Sequence, residues 1–137
     1  MVSAKGQVDG ARRRARRTLV ASSPSVTVEE LAAAREEGQD TVWSWLARGR
    51  QEGRIVAVEH DQVALIPTFQ LDGDLQLRDD VATVTVRLSA AGLDGWAAWA
   101  WWVRHRATLG AAPIDTLNQG RHQQLHDAID RLTDPAG

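Results

Sequence analysis

Residues 40–50 read Asp40-Thr41-Val42-Trp43-Ser44-Trp45-Leu46-Ala47-Arg48-Gly49-Arg50, and they predict the helix around which the rest of the chain is organised. At about 3.6 residues per turn, one side of this helix collects the residues that a helix buries, namely Val42, Trp45, Leu46 and Gly49. The opposite side carries short hydroxyls, an amide and a guanidinium, which can hydrogen-bond base edges or phosphates of DNA. These residues are Thr41, Ser44, Arg48 and Gln51. Asp40 is a suitable N-cap and Gly53 a suitable stop. The pattern predicts a recognition helix, although an ordinary solvated helix face also carries Ser, Thr and Arg.

The composition limits the classes of protein to consider. With 137 residues, the chain has room for one ordinary domain or two very small ones. It contains no cysteine, which excludes disulfides and thiolate metal sites. No apolar run approaches the roughly 18 residues that span a bilayer, and the N-terminus is too polar for a secretion signal. We therefore expect a cytoplasmic protein without a cofactor or a membrane partner.

Charge is unevenly distributed along the chain. Residues 1–56 contain ten Lys and Arg against seven Asp and Glu, a net charge of +3, whereas residues 57–137 contain six against eleven, a net charge of −5. A basic front half and an acidic back half indicate two surfaces with different partners.

The basic residues are densest near the N-terminus. Residues 1–22 hold five arginines between Arg12 and Arg17 and few apolar side chains, so we predict a basic arm that is disordered or forms a frayed helix. Such an arm can contact phosphates, here through Arg14, Arg16 and Arg17, or it can simply aid solubility.

A helix-turn-helix domain is predicted over residues 23–72. Thr27 and Glu30 form a capping-box pattern at the start of a first helix that ends near Gly38, and the helix at residues 40–50 follows. The candidate DNA-binding residues of the domain and its arm are Thr41, Ser44, Arg48, Arg50, Gln51, Arg14, Arg16 and Arg17.

Two β-branched runs, at residues 54–59 and 62–67, predict a hairpin that turns at His60-Asp61. A hairpin directly after a recognition helix is a wing, but the acidic tip also allows a hairpin that only covers the core. Phe69, the single Phe of the chain, is a predicted core anchor.

The remaining residues, 73–137, predict a second helical domain. Residues 73–92 give conflicting signals, since Val84–Leu88 alternates like a strand while the spacing of Leu77, Val81, Val84 and Leu88 fits a helix, which we favour. A helix capped by Asp94 contains four Trp within seven residues, more than a small core needs, and therefore indicates a protein interface. A short helix with Pro113 in its first turn and an amphipathic helix after Gly120 complete the chain.

Two stretches together resemble a known family. Residues 27–72, with the Pro67-Thr68-Phe69-Gln70 close, are similar to the front half of Xre/MbcA/ParS-type antitoxins. The Trp-containing helix, the Leu109-Gly110 loop, the Pro113-Ile114-Asp115-Thr116-Leu117 helix start and Gly120 resemble the toxin-binding domain of that family. The resemblance covers about 80% of the chain.

The resemblance implies a mainly α fold and two partners. It implies neutralisation of a cognate NAD-degrading RES-domain toxin by covering its active-site entrance, operator DNA binding through the helix-turn-helix, and assembly as a homo-dimer or as a hetero-oligomer with the toxin. The toxin-contacting residues it suggests here are Trp99, Trp102, Arg106, Asp127, Asp130, Arg131 and Asp134.

Two other interpretations stay open. The chain could be a stand-alone transcriptional regulator whose Trp-rich domain oligomerises, or a toxin-binding protein whose helix-turn-helix no longer binds DNA. An enzyme is not expected, because we find no nucleophile–base arrangement and no Gly-rich phosphate loop. His122 and His126 could share a metal on one helix face, but a third ligand is not evident.

Overall fold

The computed structural model describes residues 4–133, with the side chains of residues 6–132, as a mainly helical fold with one small antiparallel sheet. The elements in chain order are α1 (Ala4–Ser22), β1 (Ser25–Thr27), α2 (Val28–Arg35), α3 (Gln39–Gln51), β2 (Val58–His60), β3 (Val63–Pro67), a 3-10 turn (Thr68–Gln70), α4 (Asp79–Ala90), α5 (Gly95–Val103), α6 (Pro113–Asn118) and α7 (His122–Thr133). No helix in the described part is long and apolar enough to cross a membrane.

The N-terminal arm is a helix from Ala4 to Ser22, so of the two alternatives for this arm the helix is present and disorder was wrong there. Its C-terminal end is attached to the core, because Leu19 is buried and Trp99 Nε1 donates a 2.9 Å hydrogen bond to Ser23 Oγ just beyond the helix. The sequence holds few apolar residues here, but Val20 also packs against the core beside the buried Leu19.

The pair α2 and α3 forms much as the sequence indicates. The capping box is present, with reciprocal 3.0 Å bonds between Thr27 and Glu30. Glu36 ends α2 in the left-handed region, at φ 56°. Asp40 is not the N-cap of α3, because the helix begins at Gln39 after Gly38. Asp40 instead lies in the first turn, where a carboxylate interacts favourably with the helix dipole.

The sheet has the strand order β1-β3-β2. The hairpin is confirmed, although β2 is shorter than predicted and the turn is formed by Asp61 and Gln62, both at positive φ, rather than by His60 and Asp61. The third strand, β1, was not predicted. Its three residues pair with β3 from Ser25 opposite Pro67 to Thr27 opposite Leu65.

Gln70 explains why β2 begins late. Its side chain is buried and binds the backbone of Val56 in both directions, accepting from Val56 N at 2.9 Å and donating to Val56 O at 2.7 Å. It also donates to Pro67 O at 3.0 Å. An amide side chain thus satisfies the backbone groups of Val56 that a neighbouring strand would otherwise satisfy.

The buried side chains form two clusters, and residues 55–58 run between them. Ile55 and Ala57 belong to the front cluster, whose other buried members are Val28, Leu31, Ala32, Val42, Leu46 and Ile66. Val56 and Val58 belong to the back cluster, which gathers side chains from α1 and from α4 to α7. Successive side chains of this extended segment point alternately into the front and back clusters, so the segment joins the two halves of the molecule.

The back half is helical, as predicted, and residues 79–90 form α4 rather than a strand. The tryptophans of α5 do not form the exposed interface that their number suggested. Trp99, Trp101 and Trp102 are buried in the back cluster. Phe69 packs at the edge of this cluster, partly buried, with its ring centroid 5.6 Å from that of Trp102.

The start of α4 carries a shifted carboxyl group. Arg78 donates hydrogen bonds of 3.1 and 2.9 Å to Asp80, and these bonds lower the pKa of the Asp80 carboxyl below its ordinary value. Partial burial opposes the shift without reversing it.

We expect Gln70→Leu to lower the free energy of unfolding by about 3 kcal/mol, because it leaves the N–H and C=O of Val56 buried without partners. Urea denaturation followed by circular dichroism measures this change. Gln123→Leu, at an exposed position of α7, is the control, and its effect should stay within about 0.5 kcal/mol. Equal stability of the two variants would contradict the role assigned to Gln70.

Candidate nucleic-acid interface

The two faces of α3 separate as the sequence predicted. Val42, Leu46 and Gly49 are buried in or against the front cluster, and Trp45 packs on its edge. The four polar residues predicted to face outwards, Thr41, Ser44, Arg48 and Gln51, are all exposed. Thr41, Ser44, Arg48 and Gln51 therefore form a polar face of α3 that the described residues leave exposed.

Gly49 allows α3 to lie close to the chain that follows it. A Cβ atom at this position would collide with the side chain of Ile55, which occupies the space beside the glycine. After α3 the chain turns back at Gly53, whose φ is 72°. Gly49 and Gly53 thus allow the chain to double back tightly towards β2.

A groove of about 490 Å³ separates α3 from the β2–β3 hairpin. The part of α3 that lines it consists of Gln39, Trp43 and Arg50, the hairpin contributes Glu59, Gln62, Val63 and Ala64, and the chain at the start of α2 contributes Thr27, Val28 and Glu29. We call it the α3–hairpin groove. Two of its lining side chains are large, apolar and exposed, Trp43 by 47% and Val63 by 44%. Neither was a predicted site residue, since a helical pattern does not reveal that a hairpin will lie beside Trp43.

The acidic hairpin tip faces the arginines of α1. Arg13, Arg16 and Arg17 line one cavity with the tip residues 59–61 and Trp96. Arg16 lies over the Trp96 ring, with its Cζ atom 5.1 Å from the ring centroid. Two of the three predicted phosphate-binding arginines therefore lie beside the hairpin. The third, Arg14, is also exposed on α1.

The predicted toxin-contacting tryptophans are not on the surface, and this part of the prediction was wrong. Trp99 and Trp102 are both 0% exposed. Their indole N–H groups are bonded inside the protein, to Ser23 Oγ at 2.9 Å and to Thr85 Oγ1 at 3.2 Å. The back cluster needs this many tryptophans because they fill the space between α1 and α4 to α7.

Arg106 is partly buried in the loop after α5. Its guanidinium lies over the Trp101 ring, with Cζ 5.5 Å from the centroid, and burial together with the nearby Arg104 lowers its pKa. Its Nε is buried and has no hydrogen-bond partner within residues 4–133. Much of the Arg106 side chain is therefore occupied in packing on Trp101.

The predicted contact residues of α7 differ in their surroundings. Asp127 and Arg131 are exposed, and Asp127 accepts a 2.9 Å hydrogen bond from Gln123. Asp130 forms an ion pair with Arg87 of α4. Asp134 lies outside the described residues.

The two histidines of α7 do not form a metal site in the structure. Arg87 Nη1 lies 2.7 Å from His126 Nδ1, while His122 is exposed. Between residues 4 and 133, no three His, Asp or Glu side chains are grouped in a way that could hold a metal ion.

Comparison with known proteins finds a similar fold. No family model and no curated protein matches the chain. The NMR structure of Rv2175c superimposes with a TM-score of 0.59 at 18% sequence identity, covering 81% of this chain and 80% of that one. The two chains share a fold. At this identity the similarity concerns the fold alone.

We expect Gly49→Ala to destabilise the protein by about 1–3 kcal/mol despite the better helix propensity of alanine, because the added methyl group collides with Ile55. Shortening Ile55 to Ala in the same chain removes the two atoms that collide most severely, Cδ1 and Cγ1, and leaves only the Cβ contact at 3.1 Å. The double variant should therefore lose less stability than the sum of the two single variants, as measured by urea denaturation. Simple additivity would show that the close approach at Gly49 does not constrain α3.

Proposed function

We propose that this protein binds double-stranded DNA through α3 and the β2–β3 hairpin, and that it regulates transcription. The observation that carries the proposal is the outer face of α3, where Thr41, Ser44, Arg48 and Gln51 are all exposed. Arginine can bond guanine in a bidentate manner, glutamine can do the same with adenine, and the hydroxyls can bond any base or phosphate.

The order of the elements supports the proposal. The sequence α2, short turn, α3 and then a hairpin corresponds to a helix-turn-helix followed by a wing, with α3 as the recognition helix. A helix of 13 residues is about 20 Å long, and the major groove of DNA is wide enough to admit it. The pairing of β1 with β3 connects the hairpin to the start of α2.

The arginines of α1 beside the hairpin also support the proposal of DNA binding. Glu59 and Asp61 alone would repel DNA, but they line one cavity with three arginines of α1. Within that cavity the formal balance of three arginines and two carboxylates is +1, so α1 offsets the acidic tip. Trp43 and Val63, which line the α3–hairpin groove, offer apolar contacts to DNA sugars or to thymine methyl groups in the DNA major groove.

We expect the double variant Ser44→Ala/Arg48→Ala to bind its preferred duplex about 10- to 100-fold more weakly, because it loses contacts to base edges. The probe is a duplex selected from a random-sequence pool by the wild-type protein, and binding is measured by fluorescence anisotropy. Both residues are exposed, so the thermal unfolding transition should not move.

The matched control for this experiment is Arg131→Ala, which removes one exposed charge from α7. It should bind the selected duplex as the wild type does. Unchanged binding by the Ser44→Ala/Arg48→Ala variant would reject α3 as the recognition helix.

A second proposal rests on the resemblance to Xre/MbcA/ParS-type antitoxins: the back half neutralises a cognate RES-domain toxin. The exposed charged side chains Asp127 and Arg131 of α7 support a protein contact there. The buried tryptophans do not contribute to such a contact. The acidic back half could complement a basic nucleotide pocket on the toxin.

Co-expression with the product of the adjacent gene tests the second proposal. A protein that depletes NAD and arrests growth should co-purify with the tagged chain and lose its toxicity. The charge reversal Asp127→Arg/Arg131→Glu should restore toxicity without unfolding the chain, whereas Ser44→Ala/Arg48→Ala should still neutralise. If no such protein is captured, the antitoxin proposal is wrong. If the α7 variant still neutralises the toxin fully, α7 is not the surface that contacts the toxin.

A further inference from the structure

A second groove, of about 550 Å³, lies where α1, α3 and α5 approach one another. We call it the α1–α5 groove. Its charged lining residues are Arg12 and Arg16 from α1, Arg50 from α3, Arg104 just after α5, and one carboxylate, Asp94. Four arginines against one aspartate give a formal charge of +3. The apolar part of the lining includes Trp96, Ala97 and Ala100.

Among the described residues, the arginines of this groove form no ion pairs, although Arg16 also lines the cavity that holds Glu59 and Asp61 of the hairpin tip. Within the described part of the chain, none of the four has a carboxylate oxygen within 4.0 Å. By contrast, Arg54, Arg78 and Arg87 each pair with an aspartate elsewhere on the surface. Like charges brought together from three helical segments repel one another, and an anion in the groove relieves that repulsion.

Trp96 supports one of these arginines. Its ring is stacked on Trp99, with 5.7 Å between centroids and 10° between planes, and it lies beneath the guanidinium of Arg16. An aromatic ring engaged in this way holds an arginine in place rather than offering its face to an unpaired base. The groove therefore fits a chain of phosphates better than a single-stranded base stack.

Arg50 lies at the junction of the two grooves. It lines the α3–hairpin groove and also the α1–α5 groove. DNA that contacts Arg50 beside α3 therefore reaches a groove that also presents Arg12, Arg16 and Arg104. We propose that the α1–α5 groove binds the sugar-phosphate backbone of the same DNA duplex, beyond the base pairs that α3 contacts. The inference rests on the proposed DNA-binding function and extends it to residues of α1 and the α5 end.

The test is the salt dependence of DNA binding by the full chain. Each phosphate contact contributes about −0.9 to the slope of log K against log salt concentration, so Arg12→Ala/Arg104→Ala should make the slope less negative by about 1.8. At about 0.1 M salt the variant should bind roughly 10- to 100-fold more weakly. The loss should be equal for the selected duplex and for a scrambled duplex of the same length, because phosphate contacts carry no sequence information.

Two controls accompany this test. Arg12→Lys/Arg104→Lys retains both charges and should keep most of the slope. The second control compares two single variants. Arg131→Ala, which removes an exposed arginine of α7, should leave the salt slope unchanged, whereas Arg104→Ala alone should make it less negative by about 0.9.

The possible failures are distinguishable. If the wild-type chain binds no duplex, the proposed function fails and this inference fails with it. If the wild type binds but Arg12→Ala/Arg104→Ala shows an unchanged slope, the groove does not contact phosphates, while the proposed function stands. A variant that loses sequence preference instead of salt dependence would also overturn the inference, since it would assign base contacts to the groove.

Discussion

The fold depends on the hydrogen bonds between the side chain of Gln70 and the backbone of Val56. The segment around Val56 passes between the two apolar clusters, where its polar backbone groups have no access to water. Because the Gln70 amide accepts from one group and donates to the other, the segment can alternate its side chains between the clusters. The position of α3 follows from this arrangement, since Gly49 packs against Ile55 in the same segment.

Burial on one side of α3 determines what the other side can do. Val42 and Leu46 fix the rotation of the helix about its axis, so Ser44 and Arg48 are directed outwards whatever they bind. The hairpin lies beside Trp43 and Arg50 of the same helix, and α1 lies beside Arg50. The hairpin adds apolar surface near Trp43, and α1 adds positive charge. If α3 is the recognition helix that we propose, these different surroundings favour one orientation of the bound duplex.

The sequence predicted those features that depend on neighbouring residues. The two faces of α3, the capping box at Thr27 and the hairpin are all encoded within short windows, and each is present. It did not predict β1, because three residues are too few to show a periodic pattern. It also placed Trp99 and Trp102 at an interface, because composition reveals the number of aromatic rings but not the space available to bury them. The convergence of Arg50 with arginines of α1 and of the α5 end required the tertiary structure, since these residues are far apart in the chain.

The hydrogen bond from Trp99 to Ser23, described above as an attachment of α1, has a consequence for the affinity of the DNA binding that we propose. A flexible basic arm loses conformational entropy when it settles on DNA, at about 1–2 kcal/mol for each backbone residue that becomes fixed. In this protein the backbone that carries Arg12 and Arg16 is already ordered during folding. If the protein binds DNA as we propose, only the arginine side chains remain to be immobilised, and more of the electrostatic attraction is then available as binding free energy.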